Sequence, residues 1–168
     1  MQEMHIYGVS FDLVGKQPIV LLKTAEGNKF LPIWIGHPEA AAILMKLQSA
    51  TTPRPMTHDL VTDMLEQLGA QVVRITVTEL RENTFFAQIT VQQDGSEIDV
   101  DSRPSDAIAL AIRADAPIYA ADEVIEESAI EFEGDEINQE ELEREVSKFK
   151  QFLDEVTPDE FAVGEEEE

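Results

Sequence analysis

The chain has 168 residues, 35 of them acidic and 12 basic, for a formal charge of −23, and it contains no cysteine. Disulfides, thiol nucleophiles and thiolate zinc sites are therefore excluded, and any metal site must draw on carboxylates and the three histidines, His5, His37 and His58. Hard ions such as Mg²⁺ or Mn²⁺ suit that ligand set, and no organic cofactor is expected.

The charge is uneven. Residues 1–120 carry a net −6 and residues 121–168 a net −17. Nucleic-acid binding draws most of its affinity from Lys and Arg on phosphates, so this balance disfavours tight non-specific polyanion binding. The first residues lack the basic start and apolar core of a signal peptide, and no apolar run approaches the ~20 residues of a membrane span. Cytoplasm is the expected compartment.

Residues 4–12, 18–24 and 28–35 have the β-branched and aromatic content of three strands in a meander, with Gly27 supplying the turn between the last two. Gly36-His37-Pro38-Glu39 opens a helix whose body, Ala40 to Gln48, is rich in alanine, leucine and methionine. Thr57 is the expected N-cap of a second helix with an apolar stripe of Leu60, Val61, Met64, Leu65 and Leu68, closed by Gly69.

From Gln71 onward Val73, Ile75 and Val77 alternate with polar residues as a half-buried strand. After a turn at Arg81-Glu82-Asn83, Phe85, Ala87, Ile89 and Val91 repeat that pattern inward. Asp94-Gly95 signals a tight hairpin into a short strand over Glu97–Asp101. Ser105 is the expected N-cap of a helix over Ala107–Ala114, Ala116–Tyr119 a short extended piece, and Asp122 the cap of a helix over Glu123–Ser128.

Hairpins with helices between them and no repeated βαβ unit predict an α+β fold of antiparallel or mixed β-meanders with interspersed helices. The composition shifts after residue 130, which places one domain over 1–130. The remaining 131–168 read as an acidic linker, an amphipathic helix and an acidic tail. In that helix Leu142, Val146, Phe149 and Leu153 form one narrow stripe, fit to pack on the parent domain or on a second copy. A protein partner bound through residues 138–161 is the other use such a stripe would have.

Four strings occur in order: Leu31-Pro32-Ile33-Trp34-Ile35-Gly36, Arg54-Pro55-Met56-Thr57-His58-Asp59-Leu60, Arg103-Pro104-Ser105-Asp106-Ala107-Ile108-Ala109-Leu110-Ala111, and Ala116-Pro117-Ile118-Tyr119. Over about residues 4–130 the chain resembles the bifunctional nuclease family. The resemblance implies a mixed α+β fold, self-association with a dimer favoured, and nuclease activity on DNA and RNA.

Phosphodiester hydrolysis needs an activated water and stabilisation of charge on the phosphoryl oxygens. Two segments gather suitable groups: Arg54, His58 and Asp59, and then Asp99, Asp101, Arg103, Ser105 and Asp106. Each runs from Arg-Pro through a hydroxyl residue to Asp at a helix start, where free N–H groups also favour anions. On the nuclease reading His58 is the base, with Asp59, Asp101 and Asp106 as catalytic carboxylates. Asp101 and Asp106 hold the divalent cation, and Arg54, Arg103 and Ser105 grip the substrate. Glu39 and His37 are weaker candidates. The structural alternatives are an Asp placed for the helix dipole, an Arg paired to fix a helix start, and Trp34 as core rather than a stacking platform. A non-catalytic, self-associating interaction module is the competing function.

Overall fold

Alternating apolar and polar residues arrange the chain as strands of a single sheet in the computed structural model, which describes residues 1–11, 16–131 and Arg144. A first meander comprises β1 (Gln2–Phe11), β2 (Pro18–Thr24) and β3 (Lys29–Trp34). Gly27 turns β2 into β3 at φ 103°, a backbone conformation that side chains with a Cβ rarely adopt. Helices α1 (His37–Leu47) and α2 (Thr57–Gln67) follow.

A second meander of β4 (Ala70–Arg81), β5 (Thr84–Gln93) and β6 (Ser96–Ser102) leads into α3 (Pro104–Ala114). Both its turns use paired left-handed residues, Glu82-Asn83 and Asp94-Gly95, as tight hairpins require. The chain then forms β7 (Ile118–Ala120), α4 (Asp122–Ser128) and β8 (Ile130–Glu131).

The strand order is β6-β5-β4-β7-β1-β2-β3-β8. Three-residue β7 joins the two meanders, pairing antiparallel with β1 and parallel with β4. The expected short extended piece is thus the seam of the whole sheet, and the α+β class stands, with a mixed sheet. Helix α3 lies at the centre, packed on β4 and β5 and flanked by α1 and α2. Its Ala107 to Ala111 run is buried throughout, and small alanines around Ile108 and Leu110 let neighbouring backbones come close.

The structure corrects several sequence expectations. A bulge between Val72 and Arg74 shifts the β4 alternation, so Val72 faces the core in place of Val73. The cap of α2 is Met56, not Thr57, because the Asp59 carboxylate reaches back to the Met56 backbone N–H at 3.0 Å. The cap of α3 is Arg103, and Ser105 is a buried residue of the first turn behind Pro104. Ala121 caps α4, while Asp122 accepts a hydrogen bond from the N-terminal ammonium at 2.8 Å.

The predicted apolar stripe of α2 is only partly covered. Leu60, Met64 and Leu68 are exposed, Leu68 at 67%, and of the stripe Leu65 packs against the core. The amphipathic helix expected around 142–153 lies outside the described residues. Among the described residues no helix is long and apolar enough to cross a membrane.

Candidate functional site

The first turns of α1, α2 and α3 converge, and each brings a polar or charged side chain to the meeting point. Pro104 and Pro38 occupy early helical positions, where a missing N–H costs nothing, and so fix where α3 and α1 begin. Arg103, at the cap of α3, donates through Nε to Asp106 Oδ2 and through Nη2 to Glu39 Oε1 of α1, both at 2.8 Å. Asp106 uses its other oxygen for His58 of α2, with Nε2 to Oδ1 at 2.8 Å.

The protonation states follow from these partners. Burial by itself raises the Asp106 carboxyl, but hydrogen bonds from His58 and Arg103, with the Arg103 charge, overcome it and hold the group below the usual carboxylate range. An ionised Asp106 only accepts, so His58 Nε2 carries the proton and a neutral ring keeps its lone pair on Nδ1. Asp106 and Glu39 likewise reinforce the charge on Arg103.

The cluster is graded in access. His58 is 13% exposed and Glu39 13%, whereas Arg103 is 66% exposed. Gly36 makes room for the fold-back of Glu39, because a Cβ there would collide with the Glu39 carboxylate. Arg103 therefore stands at a surface with its Nη1 donors uncommitted among the described residues, held from behind by two carboxylates.

A second network lies deeper. Arg113, from the last turn of α3, is 7% exposed; its Nε donates to Asp59 Oδ1 at 2.7 Å and its Nη2 to the Ala42 carbonyl of α1 at 3.0 Å. Its Nη1 meets the Ala109 carbonyl at 2.9 Å. The Arg113 hydrogen bond holds the Asp59 carboxyl below the usual range against desolvation, aided by the Met56 N–H. Asp59 is thereby a cap and a helix tie, with its two oxygens on Met56 and Arg113.

The sequence-derived site divides accordingly. His58, Asp106 and Arg103 come together as expected. Asp59 faces the other network, and Ser105 is buried in the first turn of α3. Arg54 is exposed, its guanidinium without an ion pair among the described residues. Asp101 is exposed on β6 and makes no hydrogen bond or ion pair among them, and Asp99 accepts from Thr90 at 2.6 Å. No group of three or more His, Asp or Glu side chains suited to a metal occurs among the described residues. Glu39 moves from a weak candidate to a member of the cluster. Arg113 was missed; a lone arginine near the end of an apolar helix gives only the signal of a dipole partner.

A family model described as the bifunctional nuclease domain matches residues 20–133. An uncharacterized protein of Mycobacterium tuberculosis is 39% identical over 165 residues, covering 96% of this chain and 98% of the relative. Bifunctional nuclease 1 of Oryza sativa subsp. indica is 30% identical over 103 residues, 59% of this chain and 31% of that protein. Bifunctional nuclease 1 of Arabidopsis thaliana is 29% identical over 105 residues, 60% of this chain and 32% of that protein. The chain thus spans about a third of the plant proteins' length.

Proposed function

We propose, from the premise that this chain belongs to the bifunctional nuclease domain family, that it is a cytoplasmic hydrolase of DNA or RNA phosphodiesters. The observation that carries the reading is the His58–Asp106 pair at 2.8 Å beside the exposed Arg103. In this reading His58 takes a proton from the attacking water through Nδ1 as the P–O bond to the leaving oxygen breaks, with solvent protonating that oxygen. Asp106 fixes the ring tautomer and stabilises the imidazolium that forms, and Arg103 presents its free N–H edge to the phosphoryl oxygens. Exposed Arg54, four residues before His58 in sequence, is proposed as a second phosphate contact.

Mg²⁺ or Mn²⁺ would add a Lewis acid for the phosphoryl oxygens. The proposed ligands Asp101 and Asp106 do not form a ready cage for one. Both Asp106 oxygens are engaged by His58 and Arg103, and Asp101 engages neither of them. The steps assigned above accordingly run through side chains alone, and a metal would enter by displacing Arg103 or His58 from Asp106.

The test is cleavage of labelled single- and double-stranded DNA and RNA by the purified chain, with Mg²⁺, with Mn²⁺ and with chelator. A general base is worth about 10²–10⁴ in rate, so folded His58→Ala should lose that much. Equal cleavage by parent and variant would reject His58 as the base, and no cleavage by the parent would reject the function. The second reading, a self-associating interaction module with a dimer favoured, is supported by the exposed stripe of Met56, Leu60, Met64 and Leu68 on α2.

A further inference from the structure

Next to the His58–Asp106 pair a cleft of about 270 Å³ opens between the end of β3, the β4–β5 turn and the start of α3. Two aromatic side chains, Trp34 and Phe85, stand in its walls, both half-buried, with the amides of Gln17 and Asn83 and the guanidinium of Arg103. Although the protein is strongly acidic, no carboxylate lines this cleft among the described residues. Among the described residues its one ionisable lining group is Arg103, the residue that also holds Asp106.

We propose that this cleft is a base-binding subsite: it receives one unstacked nucleobase of a single-stranded nucleic acid against Trp34 and Phe85, while Arg103 takes the adjoining phosphate. The proposal rests on the phosphodiester reading above for its purpose and adds to it the strandedness of the substrate. Size supports a single ring system, since pockets that take drug-sized ligands run to about 300–1,000 Å³. The lining supports a base, because aromatic faces stack on any base while side-chain amides reach its hydrogen-bonding edge.

The charge distribution favours this mode over backbone tracking. With a net −6 over residues 1–120, the domain gains little from counterion release and needs affinity that does not depend on charge. Stacking supplies it. A base in a duplex is already stacked and paired, so occupying the cleft would demand extrusion, whereas a single strand offers its bases directly.

Trp34 is the chain's single tryptophan, so its emission reports on this cleft alone. The full chain is titrated with a short single-stranded oligothymidylate, an abasic strand with the same number of phosphates, and a duplex of equal length. A saturable change in Trp34 emission with the base-bearing single strand, absent with the other two, is the expected result. Phe85→Leu, which keeps apolar bulk and removes the ring, should weaken that binding about tenfold, with thermal unfolding confirming an intact fold. An equal response to the abasic strand or the duplex, or no response to the oligothymidylate, would overturn the subsite. Cleavage without an emission response removes the subsite and leaves the nuclease reading standing; an emission response without cleavage does the reverse.

Discussion

Arg113→Ala is the perturbation that best separates what holds the helices from what could do chemistry. The guanidinium is 7% exposed and joins α1, α2 and α3 through contacts at 2.7 Å to Asp59, 2.9 Å to the Ala109 carbonyl and 3.0 Å to the Ala42 carbonyl. The Asp59 side chain is 36% exposed, so solvent screening discounts that bond to about 1 kcal/mol. The two hydrogen bonds lost to the Ala42 and Ala109 carbonyls remove about 1 kcal/mol each, for a total near 3 kcal/mol. Urea unfolding followed by far-UV circular dichroism should show the midpoint falling by about 2 M at unchanged slope, for a slope of ~1.5 kcal/mol/M.

The same variant carries a pH signature. Asp59 sits below its usual range, so its stabilisation is present above about pH 4 and disappears as pH falls through the lowered folded value. Without Arg113 that acid-side fall becomes shallower. Arg113→Lys should recover only a minor part, because one ammonium cannot span a carboxylate and two carbonyls in a fixed fork. A loss under about 1 kcal/mol in Arg113→Ala, with the acid limb unchanged, would show that the helices are tied elsewhere.

Three further outcomes are expected. Gly27→Ala places a Cβ on a residue at φ 103° and should lower stability by about 1–2 kcal/mol in the same urea assay. Leu68→Ser alters an exposed side chain and should change stability by less than ~0.5 kcal/mol, while lowering the mass seen by light scattering if α2 is a self-association face. Ending the chain after Glu131 removes 15 acidic and three basic residues; oligonucleotide binding should tighten, and unchanged binding would dismiss the tail as a polyanion screen.

Local patterning made most of the fold legible. Alternation marked the strands, and Gly27, Glu82-Asn83 and Asp94-Gly95 marked the turns, because both signals reside in a few neighbouring residues. What escaped depends on distance in the chain. The bulge at Val73 depends on how β4 registers with β5, and the seam strand β7 gains its role from partners more than 40 residues before it. The cap shifts have a local cause that propensity ranks poorly: Asp59 reaches back to Met56, and Pro104 moves the start of α3 ahead of Ser105. In the site, His58, Asp106 and Arg103 were legible as chemistry at helix starts. The partner of each was not, since Glu39 lies 64 residues from Arg103 and Arg113 lies 54 from Asp59.

The two arginines of α3 show why one network is read as structure and the other as a site. The Arg113 side chain is 7% exposed, and each of its three guanidinium nitrogens donates a bond, which helps a buried charge to remain charged. Arg103 is 66% exposed although Glu39 is only 13%, and solvent at the arginine end of each pair screens its contribution. Stability therefore gives little reason to aim two carboxylates at it. What those carboxylates do achieve is orientation: Glu39 and Asp106 hold the planar group through Nε and Nη2, and Arg103 lines the Trp34 cleft. A flexible lysine would satisfy the same charges without presenting a fixed edge. Arg103→Lys should therefore preserve the fold and lose most of the oligonucleotide-dependent Trp34 response, and an unchanged response would mean that charge alone, not the oriented fork, serves the site.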